Sequence, residues 1–364
     1  MVPRVDAGAI TALRLFDVAY AIDLERVEQL AAAPSRISLQ RAAVKAISFD
    51  VPPVEFSLGQ TSLALENNAR SADVLARVYD FGVVAVLLRF QVSEEPWDNF
   101  VALTQQIAVA SEGAQGEALW QELLNRVITV IAPAMERPTS STLREDYLIA
   151  TVHRFAEPRT AAQLLNEADL VPLLSGETKR LASSARADLL RHSLSYYEDD
   201  LVVLTWDRAF VLEPAPNSSD IADVLEVANA QLLELRYYDD LLDDELPRMY
   251  DRVAEARQAL RGLGLRRYAA LARELHRLVA EVTEITERVD NALKVTEDVY
   301  LARVYGTALE LFRVRTWGAA VDRKLSIVRD TYTALYDEAA TARAELLEIA
   351  IVLLIVFEIL LAVV

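Results

Sequence analysis

Apolar residues recur in alternating steps of three and four along most of the second half of the chain. The pattern holds through three runs, residues 225–260, 268–299 and 311–346; a predicted turn at Gly262 and Gly264 separates the first two runs, and Gly306 precedes the third. Heptads sustained over more than three or four repeats are a specific signal for coiled-coil packing. We therefore predict a long α-helical coiled-coil stalk. Asp239 falls on the first apolar seam, which indicates a register break or a partner cation.

Proline divides the chain into two parts. Eleven of the twelve prolines lie at or before Pro216, and none follows Pro247. Because proline ends helices and marks loops, this asymmetry indicates a mixed first part and a helical second part. The loop-like stretch EPAPNSSD, residues 213–220, is the natural joint. We expect an α+β domain at residues 1–216, a helical coiled-coil domain at 217–345 and a distinct C-terminal segment at 346–364.

The first part contains short strand-like and helix-like runs. Val74–Tyr79 and Val83–Phe90 are rich in β-forming residues and flank a tight turn at residues 80–82. Leu201–Leu212 is another strand-like run. Residues 12–30 and 146–165 echo each other, because in each a strand-like run precedes a helix-like run. The echo favours a duplicated α+β unit.

The C-terminal segment is apolar on all sides. The seam continues into IAIVLLIVFEILLAVV, residues 349–364, where the positions off the seam also become apolar. A helix of this kind lies in a protein core or in lipid. Counted from Leu346 it would reach about 28 Å, close to the roughly 30 Å of a bilayer's hydrocarbon core. We predict a transmembrane anchor, with a buried oligomerisation helix as the alternative. The residues taken to define the anchor are Ile349, Leu353, Val356, Glu358 and Leu360.

The predicted anchor implies a cellular location and a topology. The N-terminal region is interrupted by Arg14, Asp17 and Asp23, so it contains no signal-peptide core. Arg343 precedes the apolar segment and no basic residue follows it, as expected for a tail anchor. We expect a single-pass protein of the cytoplasmic (inner) membrane, with the bulk of the chain on the cytoplasmic side and the lipid bilayer as one partner. Glu358 would then lie near the far interface, stay protonated or meet another helix.

Composition excludes several classes of function. The formal net charge is −18, which argues against nucleic acid as a ligand, since such binding depends on lysine and arginine neutralising phosphates. The chain has no cysteine, so disulfides, thiol nucleophiles and cysteine metal sites are excluded. The three histidines show no ligand spacing, and no phosphate-binding loop or catalytic triad pattern is present. No cofactor is predicted.

One acidic string resembles a metal-binding motif. YYDDLLDDE, residues 237–245, places Asp239, Asp240 and Asp243 in the Asp-Asp-x-x-Asp pattern of helical prenyl-diphosphate enzymes. Carboxylates one helical turn apart can share a magnesium ion. The second acidic motif and the basic residues of such enzymes are not found. The alternative is a solvated acidic face on a stalk helix, which we favour.

Three segments together resemble an uncharacterised YagE-type family, which includes the mitochondrial proteins named for being required for meiotic nuclear division. They are residues 78–86 (VYDFGVVAV), 232–250 (LLELRYYDDLLDDELPRMY) and 343–358 (RAELLEIAIVLLIVFE). Ile349 stands where that family typically has tryptophan. The resemblance implies an α+β front domain, a helical rear, a C-terminal membrane segment and a scaffold role, here in a bacterial member. It carries no catalytic residues.

These observations favour a membrane-tethered, non-enzymatic scaffold or interaction protein that associates with itself through its helices. The alternative is a magnesium-dependent enzyme that uses the acidic string at 239–245.

Overall fold

The computed structural model describes residues 3–36, 47–49, 51–66, 68–177, 179–214, 220–258, 261–291, 293–295 and 299–363. Most of the predicted joint, residues 215–219, lies outside these ranges. The strands are β1 (Arg4–Asp17), β2 (Ala19–Ile22), β3 (Ser35–Arg36), β4 (Ile47–Phe49), β5 (Val54–Ala64), β6 (Ala69–Val78), β7 (Val83–Pro96), β8 (Met135–Pro138), β9 (Arg144–Phe155), β10 (Ser193–Leu194), β11 (Leu201–Leu204), β12 (Arg208–Leu212) and β13 (Leu293–Val295). The helices are α1 (Leu24–Leu30), α2 (Trp97–Glu112), α3 (Ala114–Ile131), α4 (Ala161–Glu167), α5 (Val171–Ser175), α6 (Ser183–Leu189), α7 (Asp220–Gln258), α8 (Arg261–Asn291), α9 (Val299–Leu311) and α10 (Val314–Val363).

Nine of the described strands form one sheet, in the order β10-β11-β12-β9-β1-β7-β6-β5-β3. Neighbouring strands are antiparallel except for β12, which runs parallel to β9. The strand order is symmetrical about the central pair β1 and β9. Strand β1 lies beside β7, the last strand of the meander β5-β6-β7, and β9 lies beside β12, the last strand of the meander β10-β11-β12. The directions differ, however, because β7 is antiparallel to β1 whereas β12 is parallel to β9. The α+β front domain is confirmed, while its two halves are alike in strand order only.

The predicted tight turn joins β6 to β7. Val78 pairs with Val84, and Gly82 has a φ of +96°. A Cβ atom at Gly82 would lie 1.7 Å from the carbonyl oxygen of Ala19, so glycine is required there for both conformation and space. The other strand-like run, Leu201–Leu212, divides into β11 and β12 around a turn at residues 205–207.

Both faces of the sheet are covered. On one face, alternate residues such as Val74, Val86 and Ala150 share a core with Ile107 of α2 and Leu123 of α3. On the other face, the intervening residues are also buried, and the side chain of Arg77, on β6, reaches the first half of α7. Burial on both faces explains why β7 begins with the continuous apolar run VVAVLL instead of alternating.

The chain forms two compact units, and the boundaries between them fall inside α7, α8 and α10. One unit comprises residues 1–234 and 288–315 and contains the large sheet; the other comprises residues 235–287 and 316–364 and is helical. Residues of the predicted apolar seams are buried in the helical unit: Leu242, Met249, Leu271, Leu275, Val282, Val321, Leu325, Val328 and Leu335. Gly262 and Gly264, predicted to form a turn, lie instead in the first turn of α8.

The predicted transmembrane anchor is wrong. Among the described residues, none of the helices combines the length and apolarity needed to cross a membrane. Helix α10 continues to Val363, but carboxylates interrupt its apolar end. The nine residues between Glu348 and Glu358 rise only about 14 Å, against about 30 Å of hydrocarbon. The tail anchor, the single-pass topology and the inner-membrane localisation derived from it are therefore also wrong. The residues predicted to form the anchor are exposed positions of α10: Ile349, Leu353, Val356, Glu358 and Leu360.

Candidate functional site

The first half of α7 has no exposed face, and yet it carries charged residues. Residues 223–235 are all buried, and Asp223, Glu226 and Glu234 are among them. A helix buried on all sides is normally apolar on all sides. A buried carboxyl group must be paired or must hold a proton, because an isolated buried charge costs several kcal/mol. We call these carboxyls and their partners the buried carboxyl site: Asp17, Glu55, Arg77, Tyr79, Asp223, Glu226 and Glu234.

Arg77 holds three of these carboxyl groups. Its Nη1 donates to Oδ1 of Asp223 at 2.6 Å and to Oε2 of Glu226 at 2.7 Å, and its Nε donates to Oε2 of Glu55 at 2.7 Å. Glu55 lies directly opposite Arg77 in the sheet, while Asp223 and Glu226 are one turn apart on α7. Burial alone would lower the pKa of Arg77, but the charges of these carboxylates raise it well above its ordinary value. Arg77 therefore stays charged and joins the sheet to the helix.

Tyr79 and Glu226 form the proton-binding end of this network. The hydroxyl of Tyr79 donates to Oε1 of Glu226 at 2.7 Å, and burial raises the pKa of Tyr79 well above its ordinary value. Burial also raises the pKa of Glu226 to about 7, although Arg77 and Tyr79 act to lower it. Glu226 can therefore take up or release a proton near neutral pH.

Asp17 and Glu234 form the second part of the site. Asp17, at the end of β1, is 5% exposed and Glu234 is 2% exposed. Burial raises the pKa of Asp17 to about 7, against a lowering by the hydrogen bond from Thr139. Burial and the charge of Asp17 raise the pKa of Glu234 well above its ordinary value. The negative charges of two neighbouring buried carboxylates repel each other, so a state in which at least one of them is protonated is favoured.

The buried carboxyl site is closed to a substrate. Six of its seven residues are less than 10% exposed, and the side chain of the seventh, Glu55, is 23% exposed. A cavity of about 810 Å³ in the same unit has a different lining, and no residue of the buried carboxyl site is part of it. Its lining comes chiefly from α2, α5, α6 and the loop before α6, and includes the ion pair between Arg186 and Asp169 at 3.0 Å. The chemistry open to the buried site is proton binding and the attachment of α7 to the sheet.

A second buried arginine lies on the opposite face of the sheet. Arg14 of β1 is 1% exposed; its Nε and Nη2 donate to the carboxylate of Asp146, directly opposite on β9, at 2.5 and 3.0 Å. Its Nη1 donates to Glu117 of α3 at 2.7 Å, and its guanidinium lies 5.2 Å from the ring centre of Trp120. Arg14 therefore attaches α3 to one face, as Arg77 attaches α7 to the other.

A lysine of the same chain, Lys324, forms ion pairs with two aspartates of the predicted acidic string. Nζ of Lys324, on α10, lies 2.6 Å from Oδ1 of Asp239 and 2.7 Å from Oδ1 of Asp243. Burial would lower the pKa of Lys324, but the hydrogen bonds with the two aspartates leave it raised. Asp240 is exposed and does not share in this contact. Lys324 thus occupies the position between two of the three carboxylates that a magnesium ion would take, and the metal hypothesis stays a prediction. Within the described ranges, the structure shows no group of three His, Asp or Glu side chains that could hold a metal ion.

The end of α10 exposes an apolar surface that is interrupted by Glu348 and Glu358. The large apolar side chains from Leu347 to Leu361 are between 47% and 65% exposed. Val356 and Leu353, which belong to the predicted apolar seam, are 47% and 63% exposed, and the apolar residues off the seam are exposed to nearly the same extent. Contiguous apolar surface of this kind on a protein marks an interaction site.

The buried carboxyl site was not found by sequence reasoning. Asp223, Glu226 and Glu234 have the spacing of ordinary solvated positions on an amphipathic helix, so the hydrophobic periodicity did not indicate that they are buried. A usable signal was present in the strands, because Arg77 interrupts the apolar run VLARV and Arg14 interrupts ALRLF. A lone arginine inside a buried strand requires a carboxylate partner.

The fold defines the class of protein as an α+β sheet domain followed by long helices. Residues 7–219 match the model of the family described as the N-terminal domain of the uncharacterized protein MJ0711, and the chain belongs to this family. The chain is similar to the uncharacterized protein MJ0711 of Methanocaldococcus jannaschii, with 25% identity over 218 residues. The similarity covers 60% of this chain and 66% of that protein, slightly less than two thirds of its length. No solved structure matches the chain. The expectation of an uncharacterised domain family is thereby confirmed.

Proposed function

We propose that this protein is a non-enzymatic interaction protein that assembles with further copies of itself through the end of α10. The observation that carries the proposal is the exposed apolar surface from Leu347 to Leu361. Fully burying one such side chain contributes about 1.5–3 kcal/mol, so leaving this many in water strongly favours association.

The distribution of the apolar residues around α10 favours further copies of the same helix as the partner. Residues 351–357 are seven consecutive apolar positions and therefore occupy every side of the helix. A flat partner surface would cover one side only. Identical helices arranged symmetrically cover one another on several sides, as in helix bundles. This arrangement predicts a dimer or a larger assembly.

Light scattering on the full-length chain tests the proposal. The wild type is expected to be a dimer or larger at micromolar concentration, and the variant Leu353→Glu/Val356→Glu is expected to be a monomer. Ile327→Glu serves as the matched control, because Ile327 is an exposed apolar residue of α10 that lies outside this surface. A monomeric wild type would contradict the proposal, as would an assembly unaffected by the double substitution. Binding of the wild type to phosphatidylcholine vesicles without self-association would identify a lipid surface as the partner instead.

The narrower relationship to the YagE-type family is part of this proposal. It rests on the three segments at residues 78–86, 232–250 and 343–358. The first lies within the region that matches the MJ0711 family, and the other two lie beyond it. If the relationship holds, an experimental structure of a YagE-type protein will have a central β1–β9 pair flanked by two meanders, with an arginine of β6 bound to carboxylates of the following long helix. A different strand order would contradict it.

A further inference from the structure

Three aromatic side chains of the sheet unit are unusually exposed. Tyr196 is 63% exposed, Tyr197 is 67% exposed and Trp206 is 51% exposed. The two tyrosines precede β11 and the tryptophan follows it, so they lie at opposite ends of one short strand. Aromatic residues are enriched at protein interfaces and are costly to leave in water.

The exposed aromatic residues are held in fixed positions. Asp200, which is buried, accepts hydrogen bonds from the backbone N–H groups of Tyr196 at 2.7 Å and Tyr197 at 3.1 Å. The Tyr196 ring centre lies 5.9 Å from that of Tyr300, and the Trp206 ring centre lies 6.2 Å from that of Phe312. A surface that is rigid before binding loses less conformational entropy when a partner docks.

The carboxylates beside the tyrosines determine which partner fits. Glu198 and Asp199 follow directly, are exposed, and form no ion pair with any residue that the structure describes. We propose that Tyr196, Tyr197, Glu198, Asp199 and Trp206 form a docking surface, the aromatic-acidic surface, for an arginine-rich segment of a partner protein. A guanidinium group stacks on aromatic faces and binds carboxylates in a bidentate manner, so it complements both parts of this surface. The surface lies in the sheet unit and does not depend on assembly through α10.

Fluorescence anisotropy on the full-length protein tests the aromatic contribution, with a labelled RGRGRGRGR peptide as the probe at 150 mM salt. Tyr197→Ser and Trp206→Ser are each expected to weaken binding at least fivefold. The control is Tyr250→Ser/Tyr336→Ser, which removes two tyrosines of the helical unit that are 55% and 61% exposed. If the surface variants bind as tightly as the wild type, or if the control pair loses as much affinity, the attraction is a general effect of net charge and the proposal is overturned. Tyr197 packs only against Tyr196 among the described rings, so its removal leaves the core intact.

The charge contribution is tested with a matched pair of carboxylate variants. Glu198→Gln/Asp199→Asn is expected to weaken binding about tenfold, whereas Glu25→Gln/Glu122→Gln, which removes the same charge from exposed helix positions, is expected to change it less than twofold. The peptide KGKGKGKGK is expected to bind several-fold more weakly than its arginine counterpart, because lysine does not stack on the rings as a planar group. Equal losses in the two double variants, or equal binding of the two peptides, would contradict the proposal. These results do not depend on the oligomeric state, so failure here is distinguishable from failure of assembly through α10.

Discussion

Arg77 shows what a single buried charge requires of its surroundings. It is 7% exposed and is bound by Glu55, Asp223 and Glu226, so one cation faces three carboxyl groups. A buried network of this kind gains little net stability over an apolar one, but removing one partner leaves uncompensated charge inside. The elevated pKa of Glu226, about 7, relieves part of the excess negative charge by allowing a bound proton.

The first prediction concerns this arginine. Arg77→Met is expected to lower the free energy of unfolding by roughly 3–5 kcal/mol, because the three carboxyl groups lose the cation that they share. Arg70→Met on the same strand is the control, since Arg70 is 39% exposed and its pair with Glu95 is long, at 3.4 Å; we expect about 1 kcal/mol or less. Urea unfolding measures both. Similar losses in the two variants would show that the buried network does not have the assigned role.

The second prediction concerns Asp17, whose pKa burial raises to about 7. The folded protein keeps a proton there that the unfolded chain releases near pH 4, so the free energy of unfolding falls as the pH rises from about 4 to about 7. Asp17→Asn removes this contribution. Between pH 5 and pH 8, the free energy of unfolding of the wild type is therefore expected to fall by on the order of 2–4 kcal/mol more than that of the variant. Glu122→Gln, at an exposed position, is the control. Parallel stability curves for wild type and Asp17→Asn would contradict the assignment.

At the scale of elements, α7 passes through two environments. Its first half is buried on all sides against the sheet unit, whereas its second half belongs to the helical unit and alternates buried and exposed positions. The same run of good helix-forming residues serves both halves. The polar positions are therefore satisfied differently, by Arg77 and buried pairing in the first half and by Lys324 and water in the second.

The third prediction tests the acidic string as a metal site. If Lys324 neutralises Asp239 and Asp243, magnesium up to 10 mM will not raise the melting temperature of the wild type. Lys324→Met should lower stability by about 1–3 kcal/mol, since two neighbouring carboxylates then lack a cation. Magnesium should partly restore this variant, because a ligand that binds only the folded state stabilises it. Asp240→Asn, at the exposed position, should behave like the wild type. A clear magnesium-dependent rise in the wild type would instead favour the enzyme hypothesis.

The fourth prediction concerns Glu358 on α10. This carboxylate lies among exposed apolar residues, between Phe357 and Ile359. In an assembly through this surface it would be brought close to its own copies, where like charges repel. Glu358→Leu is therefore expected to tighten association by about tenfold, measured by sedimentation equilibrium. Glu338→Leu on the same helix is the control. Weaker association of Glu358→Leu would indicate that Glu358 makes a specific contact between copies.

At the scale of the whole molecule, net charge opposes self-association. Each copy carries a formal charge of −18, so copies repel one another over distances comparable to the Debye length. The fifth prediction is that raising sodium chloride from about 20 mM to about 500 mM shifts the chain toward its assembled state, because salt screens this repulsion and leaves apolar contact intact. Sedimentation velocity at several salt concentrations measures the shift. Dissociation at high salt would mean that ion pairs, not apolar residues, hold the copies together.

The local and periodic features of the fold were predictable from the amino-acid sequence. The hairpin around Gly82 follows from β-forming runs on either side of a residue that can adopt positive φ. The long helices follow from sustained heptads in which Pro247, inside α7, is the one proline after Pro216. The net charge and the absence of cysteine likewise limited the chemistry before any fold was known. These features were predictable because each depends on neighbours within a few residues or on composition.

The surroundings of the charged and apolar side chains depend on the tertiary structure. Glu226 has the spacing of a solvated helix position but meets Arg77, which is 149 residues away along the chain. Asp239 has a cation because α10 packs beside α7, and the apolar end of α10 is exposed because no described element covers it. The physical reason is that burial and pairing are set by contacts between segments distant in sequence. A period of three and four identifies which residues share a helix face, but it does not identify what covers that face.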